Sequence, residues 1–206
     1  MKRRIACILC GILLLCLAAC GTVDPPVSAP ETSPAAASSD STPAKESGQP
    51  HILVVYFSAT GSTRKAAEII ADTAGGEIFS ITPAVPYSDS DLSWTNADSR
   101  VCREHNDPDH NVPLTETIVP DWNAYDTVYI GYPIWWGGAA FPVEAFVKAN
   151  DFTGKAVIPF CTSASSGLGN SAKALAALCG TGNWQAGQRF SSSADAAAIR
   201  EWVTAQ

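Results

Sequence analysis

The chain has 206 residues, 46% hydrophobic and 16% charged, with a formal charge of −7 at neutral pH. That balance is globular. It excludes a fibrous protein, a wholly disordered chain, and a nucleic-acid binder that works through a basic surface.

Lys2, Arg3 and Arg4 precede an apolar run from Ile5 to Ala19, which ends in Leu17-Ala18-Ala19-Cys20-Gly21. A basic start, ~7–15 apolar residues and small residues before a cut site describe a secretory leader. The run is also shorter than the ~20 residues that a spanning helix needs. The Leu-Ala-Ala-Cys ending resembles a bacterial lipobox, which implies a signal peptide over 1–19 and a lipid-modified Cys20 as the first mature residue. The alternative is an uncleaved anchor. Either way the domain is expected outside the cytoplasm, lipid-anchored to or held at a bacterial cell membrane, where several acyl chains hold better than one. Cleavage before Cys20 removes three basic residues and takes the formal charge from −7 to −10.

From residue 20 to 50 the chain is Pro, Ala, Ser and Thr with almost no large apolar side chain. Such a stretch buries too little surface to offset its ordering entropy, so it reads as a disordered spacer. Residues 51–206 remain, the size of one ordinary domain. Of seven cysteines, Cys7, Cys10, Cys16 and Cys20 belong to the leader. The domain keeps Cys102, Cys161 and Cys179, an odd number that rules out a full disulfide framework. A Cys102–Cys179 pair stays open.

Ile52-Leu53-Val54-Val55-Tyr56-Phe57 is a continuous apolar run, as expected of a strand covered on both faces. A small polar loop follows, then a helical stretch from Arg64 to Ala71 closed by Gly75-Gly76. Glu77 to Pro83 predicts a short strand, Thr127 to Tyr132 a buried one, and Phe141 to Asn150 a helix. Ala156 to Cys161 predicts a fourth strand, Asn170 to Leu178 a helix, Gln185–Phe190 a weak fifth strand, and Ala194 to Val203 a last helix. Five strands alternating with helices make an α/β fold, a doubly wound parallel sheet. Such sheets bind ligands beyond the carboxyl ends of their strands.

Three strand ends carry unusual loops. Ser58-Ala59-Thr60-Gly61-Ser62-Thr63 sets four hydroxyls around a glycine ahead of a helix, a site for phosphate or another anion. Plain N-capping would need one hydroxyl. The loop has neither the Gly-Lys-Ser/Thr of a P-loop nor a G-x-G-x-x-G fingerprint. Tyr132-Pro133-Ile134-Trp135-Trp136-Gly137-Gly138 follows the third strand, and adjacent indoles in a Pro/Gly loop predict at least one flat face turned outward for a planar ring. Thr162-Ser163-Ala164-Ser165-Ser166-Gly167 follows the fourth strand and suits the edge of a heteroaromatic ring. Cys161 opens that loop, but no arginine follows it to hold an oxyanion, which argues against a thiol nucleophile.

The stretch from Ile52 to Val203 resembles the flavodoxins, through Tyr56 to Thr63, Gly131 to Gly137 and Pro159 to Ser163. The resemblance implies strand order 2-1-3-4-5 and bound FMN. Ser58, Thr60, Gly61, Ser62 and Thr63 would hold the phosphate. Pro133, Ile134, Trp135, Trp136 and Gly137 would flank the isoalloxazine, and Thr162, Ser163 and Gly167 would close its other edge. Ala164-Ser165 stands where related sequences often carry two glycines. Tyr87 and Trp94 are candidate lids.

Between Tyr87 and Asp126 nine carboxylates face only Arg100 and Arg103. A solvated surface is one reading. The other is a negative field that steers a basic redox partner and makes the reduced carrier a stronger reductant. Cys102, His105 and His110 lack the second ligand pair expected of a zinc site.

The expected function is a membrane-tethered FMN electron carrier, its partner a basic-surfaced protein or a small acceptor, with no nucleic acid, no metal and no catalytic side chain. An FMN-dependent NAD(P)H:quinone-type oxidoreductase is the alternative, and a flavin-free binding module a third reading.

Overall fold

The computed structural model describes residues 50–193 and 195–206. The leader, Cys20 and nearly all of the spacer therefore lie outside the described residues. The strands are Ile52–Tyr56 (β1), Glu77–Ser80 (β2), Thr127–Trp135 (β3), Gly138–Ala139 (β4), Ala156–Ser163 (β5), Asn183–Trp184 (β6) and Gln188–Ser191 (β7). The helices are Ser62–Ala74 (α1), Arg100–Asn106 (α2), Phe141–Ala149 (α3), Ser171–Cys179 (α4) and Ala196–Thr204 (α5).

The parallel sheet runs β2-β1-β3-β5-β6, and β7 continues the outer position beside β5. Taking β6 and β7 as one interrupted strand and setting the small β4 aside, this is the expected order 2-1-3-4-5. The strands alternate their side chains between two helical layers, as the pleat requires. Leu53, Val55, Val128 and Ile130 pack with Val143 and Phe146 of α3 and Leu175 of α4. Val54, Tyr56, Tyr129 and Phe160 pack with Ala66 and Ile70 of α1 and Ile199 of α5.

The interruption of the outer strand has a local cause. Lys155, just before β5, accepts from the Asn183 N–H at 2.9 Å and Val157 from the Gln185 N–H at 2.8 Å, so the backbone groups of 157 and 159 in β5 face outward to β6 and β7. Pro159 has no N–H to offer there, and the ladder lapses opposite it between Trp184 and Gln188. Gly187 fits the gap because a Cβ would stand 2.6 Å from the Pro159 carbonyl oxygen.

Between β2 and β3 the chain makes a long excursion. Its stem is pinned by a short antiparallel contact: Ala84 donates to Pro113 at 2.8 Å and Thr115 to Thr82 at 2.9 Å. Above the stem, α2 is capped by the Ser99 side chain, which accepts from the Cys102 N–H. Tyr87 donates to Glu104 at 2.6 Å, Arg100 pairs with Glu104 at 2.7 Å, and the guanidinium lies over the Tyr87 ring at 4.0 Å. This clasp holds α2 against the sheet edge.

Gly131 sits mid-strand in β3 because the Phe160 ring crosses it; a Cβ there would approach that ring to 2.1 Å. Gly131→Ala should therefore destabilise the fold by ~1–3 kcal/mol through overpacking. A denaturant midpoint equal to that of the wild type would contradict this packing.

Candidate functional site

All three predicted loops lie at the carboxyl edge of the sheet. The first turns from β1 into α1 through Gly61, whose φ of +90° favours glycine. Ser58 accepts from the Gly61 N–H at 3.1 Å, which folds the loop back on itself. No side chain caps α1, and the first hydrogen bond of the helix is Lys65 N–H to Gly61 C=O at 3.1 Å. The N–H groups of Ser62, Thr63 and Arg64 thus have no acceptor among the described residues. Three free donors at the positive end of a 13-residue helix form a cradle for an anion.

Thr63 is nearly fully buried, and its hydroxyl meets that of Thr162 at 2.7 Å. The two side chains tie the first loop to the third. With Thr162 as donor, Thr63 keeps its own proton for a ligand.

The second segment differs from expectation. The sequence predicts strand to Tyr132 and a loop through the tryptophans; instead β3 runs on to Trp135 and pairs with β4, Ile134 opposite Ala139 and Trp135 opposite Gly138. Trp136 and Gly137 alone make the turn, at φ +46° and +80°. Both central residues positive is the turn whose twist suits a two-residue hairpin. Gly137 is at ease there, but an indole-bearing residue costs ~1–2 kcal/mol. Trp136 is 44% exposed and stacks on His105 at 4.3 Å with an interplanar angle of 6°. Trp135 turns inward, edge-on to Phe57, Tyr87 and Phe141 at 5.4–5.6 Å. One indole faces out and one packs in.

In the third loop Ser163 donates to the Ser166 carbonyl. Arg189 of β7 donates from Nε to Ser163 Oγ at 3.0 Å, and from Nη2 to the carbonyls of Ser163 and Ala164, both at 2.9 Å. Sequence reasoning did not single out Arg189, because nothing local in a weak outer strand points to a loop 26 residues earlier.

These pieces enclose a cavity of about 520 Å³. Thr60 of the first loop, Pro133, Ile134, Trp135 and Trp136 of the second segment, and Ser165 and Ser166 of the third loop all line it. The excursion supplies Leu92, Trp94 and Val101, and Trp94 is 73% exposed at the mouth. Its volume falls within the ~300–1,000 Å³ usual for small-molecule and cofactor sites.

The family model described as flavodoxin matches residues 51–206. The chain belongs to the flavodoxin family. Among solved structures, a flavoprotein of Bacteroides eggerthii is 41% identical over 75% of this chain and 96% of its own, with a TM-score of 0.69. One of Bacteroides uniformis is 36% identical over 76% and 99%, with a TM-score of 0.71. A Lactobacillus acidophilus flavoprotein solved in complex with FMN is 23% identical over 74% and 98%, at 0.54, and shares the fold. No curated protein matches. The chain is a flavodoxin-like flavoprotein.

Within this flavodoxin fold, Thr60, Pro133, Ile134, Trp135 and Trp136 line the cavity; Gly61, Ser62 and Thr63 follow Thr60 in the turn into α1, and Ser58 holds that turn through the Gly61 N–H. Gly137 is in the hairpin turn behind Trp136. Thr162 is buried beneath the rim, and Ser163 faces Arg189. Gly167 stands beyond the two serines that line the edge. Of the candidate lids, Trp94 lines the cavity, whereas Tyr87 packs behind Trp135. Cys102 is buried with its thiol at 3.3 Å from the Trp94 carbonyl, His105 stacks on Trp136, and His110 bonds Glu144 at 3.1 Å. Cys102, Cys161 and Cys179 are all free thiols.

Cys161 is fully buried, and burial pushes its thiol pKa up to about 12, with Arg189 only partly opposing the rise. A thiol so seldom ionised is a poor nucleophile. Iodoacetamide at mildly alkaline pH should leave Cys161 unlabelled in the native protein and label it after unfolding; prompt native labelling would refute its inert role.

Proposed function

We propose that the protein binds FMN in this cavity and carries electrons between redox partners, tethered outside the cytoplasm through lipid on Cys20. The observation that carries the reading is a cavity walled by aromatic side chains and lined by Thr60, two residues before the uncapped N-terminus of α1. The donor set fits the group. Backbone N–H groups of Ser62 and Thr63 and the hydroxyls of Ser58, Thr60 and Thr63 suit a phosphate dianion, and the apolar wall suits a flat tricycle. FMN is the cofactor, and when bound it supplies reversible one- and two-electron chemistry.

The chain's own residues bind, orient and tune. Thr60 and the α1 N-terminus anchor the charged tail. Pro133, Ile134 and the indoles exclude water from the ring, and Ser165 and Ser166 border its edge. No side chain has to hand over a proton for electrons to pass.

The excursion sets the electrostatics. Arg103 donates to the Asp98 carbonyl, and Arg100 is spent on Glu104 and the Val85 carbonyl at 2.7 Å. Asp89, Asp98, Asp107 and Asp109 stay exposed. Their field favours a basic-surfaced partner and opposes extra negative charge on the ring. The exposed faces of Trp94 and Trp136 at the mouth also suit a small planar acceptor, which keeps the NAD(P)H:quinone-type oxidoreductase as the second reading. Steady oxidation of NAD(P)H in the presence of a quinone would favour that reading over simple carriage.

The absorption spectrum is the test. Purified protein, or apoprotein given FMN, should show a flavin spectrum that bleaches on reduction; a colourless protein that rejects FMN would overturn the proposal. Thr60→Ala with Thr63→Ala should weaken FMN binding about a hundredfold or more, since hydrogen bonds to a charged group contribute ~1.5–3 kcal/mol each. Electron transfer to a basic cytochrome c should slow as ionic strength rises past ~0.1 M. A rate indifferent to salt would remove the steering role of the acidic face.

A further inference from the structure

Arg189 stands outside the cavity, yet it determines which way the loop at the cavity's edge presents its backbone. Its Nη2 collects two consecutive carbonyls, Ser163 and Ala164, while Nε holds Ser163 Oγ. No cis peptide bond occurs in the described chain. In a trans peptide the C=O and the following N–H point in opposite directions. Carbonyls drawn toward Arg189 therefore turn the N–H groups of Ala164 and Ser165 away from it. Neither N–H has an acceptor among the described residues, and Ser165 and Ser166 line the cavity.

The register agrees. Val157 and, in the same register, Pro159 of β5 direct their backbone groups outward, so 161 and 163 do too, and the Ala164 N–H that follows the Ser163 carbonyl faces the ligand side. At Ala164 the alternation ends: its carbonyl also turns to Arg189, one step beyond the ladder, where no strand partner holds it. The Ser163 hydroxyl relays the brace by donating to the Ser166 carbonyl, which closes the turn. A guanidinium does this better than an ammonium, since its planar fork reaches three acceptors at once.

We propose that Arg189 is a positioning residue that aims the Ala164 and Ser165 N–H groups at the electron-rich edge of a bound flavin ring. The assignment rests on the flavin reading above. It also places one fixed positive charge behind that edge, within a protein that is otherwise acidic. Because Arg189 acts on the ring and not on the phosphate, its loss should affect FMN and riboflavin alike. Oriented donors and a nearby cation favour the reduced, more negative ring over the oxidised one.

The experiment compares Arg189→Met and Arg189→Lys with the wild type in the full chain. Titration of apoprotein should show that Arg189→Met weakens FMN and riboflavin by the same factor, about tenfold. The ratio of affinities for reduced and oxidised FMN should fall by a similar factor, a change that mere loosening of the loop would not produce. Arg189→Lys should lie between the two, and if Arg189→Met fails to fold, the lysine variant carries the test alone. Unchanged affinity and an unchanged ratio in a variant that folds would overturn the assignment while leaving flavin binding intact. A wild-type chain that takes up neither flavin would overturn the underlying reading instead.

Discussion

Parallel pairing places every strand's carboxyl end on one side of the sheet, and this fixes where chemistry can happen. In this protein β1, β3 and β5 lie side by side, with Ile52 opposite Thr127 and Thr127 opposite Ala156. Loops that are about 70 and 30 residues apart in sequence therefore open onto the same edge. One buried hydrogen bond, Thr63 to Thr162, then sets the spacing between the outer two. Buried hydroxyls without partners are costly, so each side chain enforces the position of the other.

Much of this was legible from residue type and order. The runs at Ile52, Thr127 and Ala156 are buried on both faces, and sequence reads such runs well because packing and propensity agree. The hydroxyl-rich turn before α1 was equally plain, since its glycine and its position after a strand define the geometry locally. The tryptophan segment was harder. Two residues with positive φ let the strand continue to Trp135 and reverse at once, and only the antiparallel partner Gly138-Ala139 makes that extension worthwhile.

What stayed hidden depends on distant contacts. The excursion between β2 and β3 has one seven-residue helix and no long periodicity, so its stem pairing and its Tyr87–Glu104–Arg100 clasp leave no local signature. Val101 reaches the cavity from α2, where it packs with Val112, Phe141 and Trp135, and its N–H donates to the Asp91 carbonyl beside Leu92. Arg189 is hidden for the same reason: its role lies in the direction it gives to two peptide groups on a neighbouring element.

The lapse opposite Pro159 also bears on how the molecule behaves among its own copies. The outer margin of the sheet offers only two short pieces, of two and four residues, with a kink between them. A neighbouring chain seeking to extend the ladder at that margin would find no run longer than four residues to template on, which discourages strand addition there. For a domain crowded with others on a lipid surface, as the proposed anchor implies, that broken margin is a safeguard against clumping.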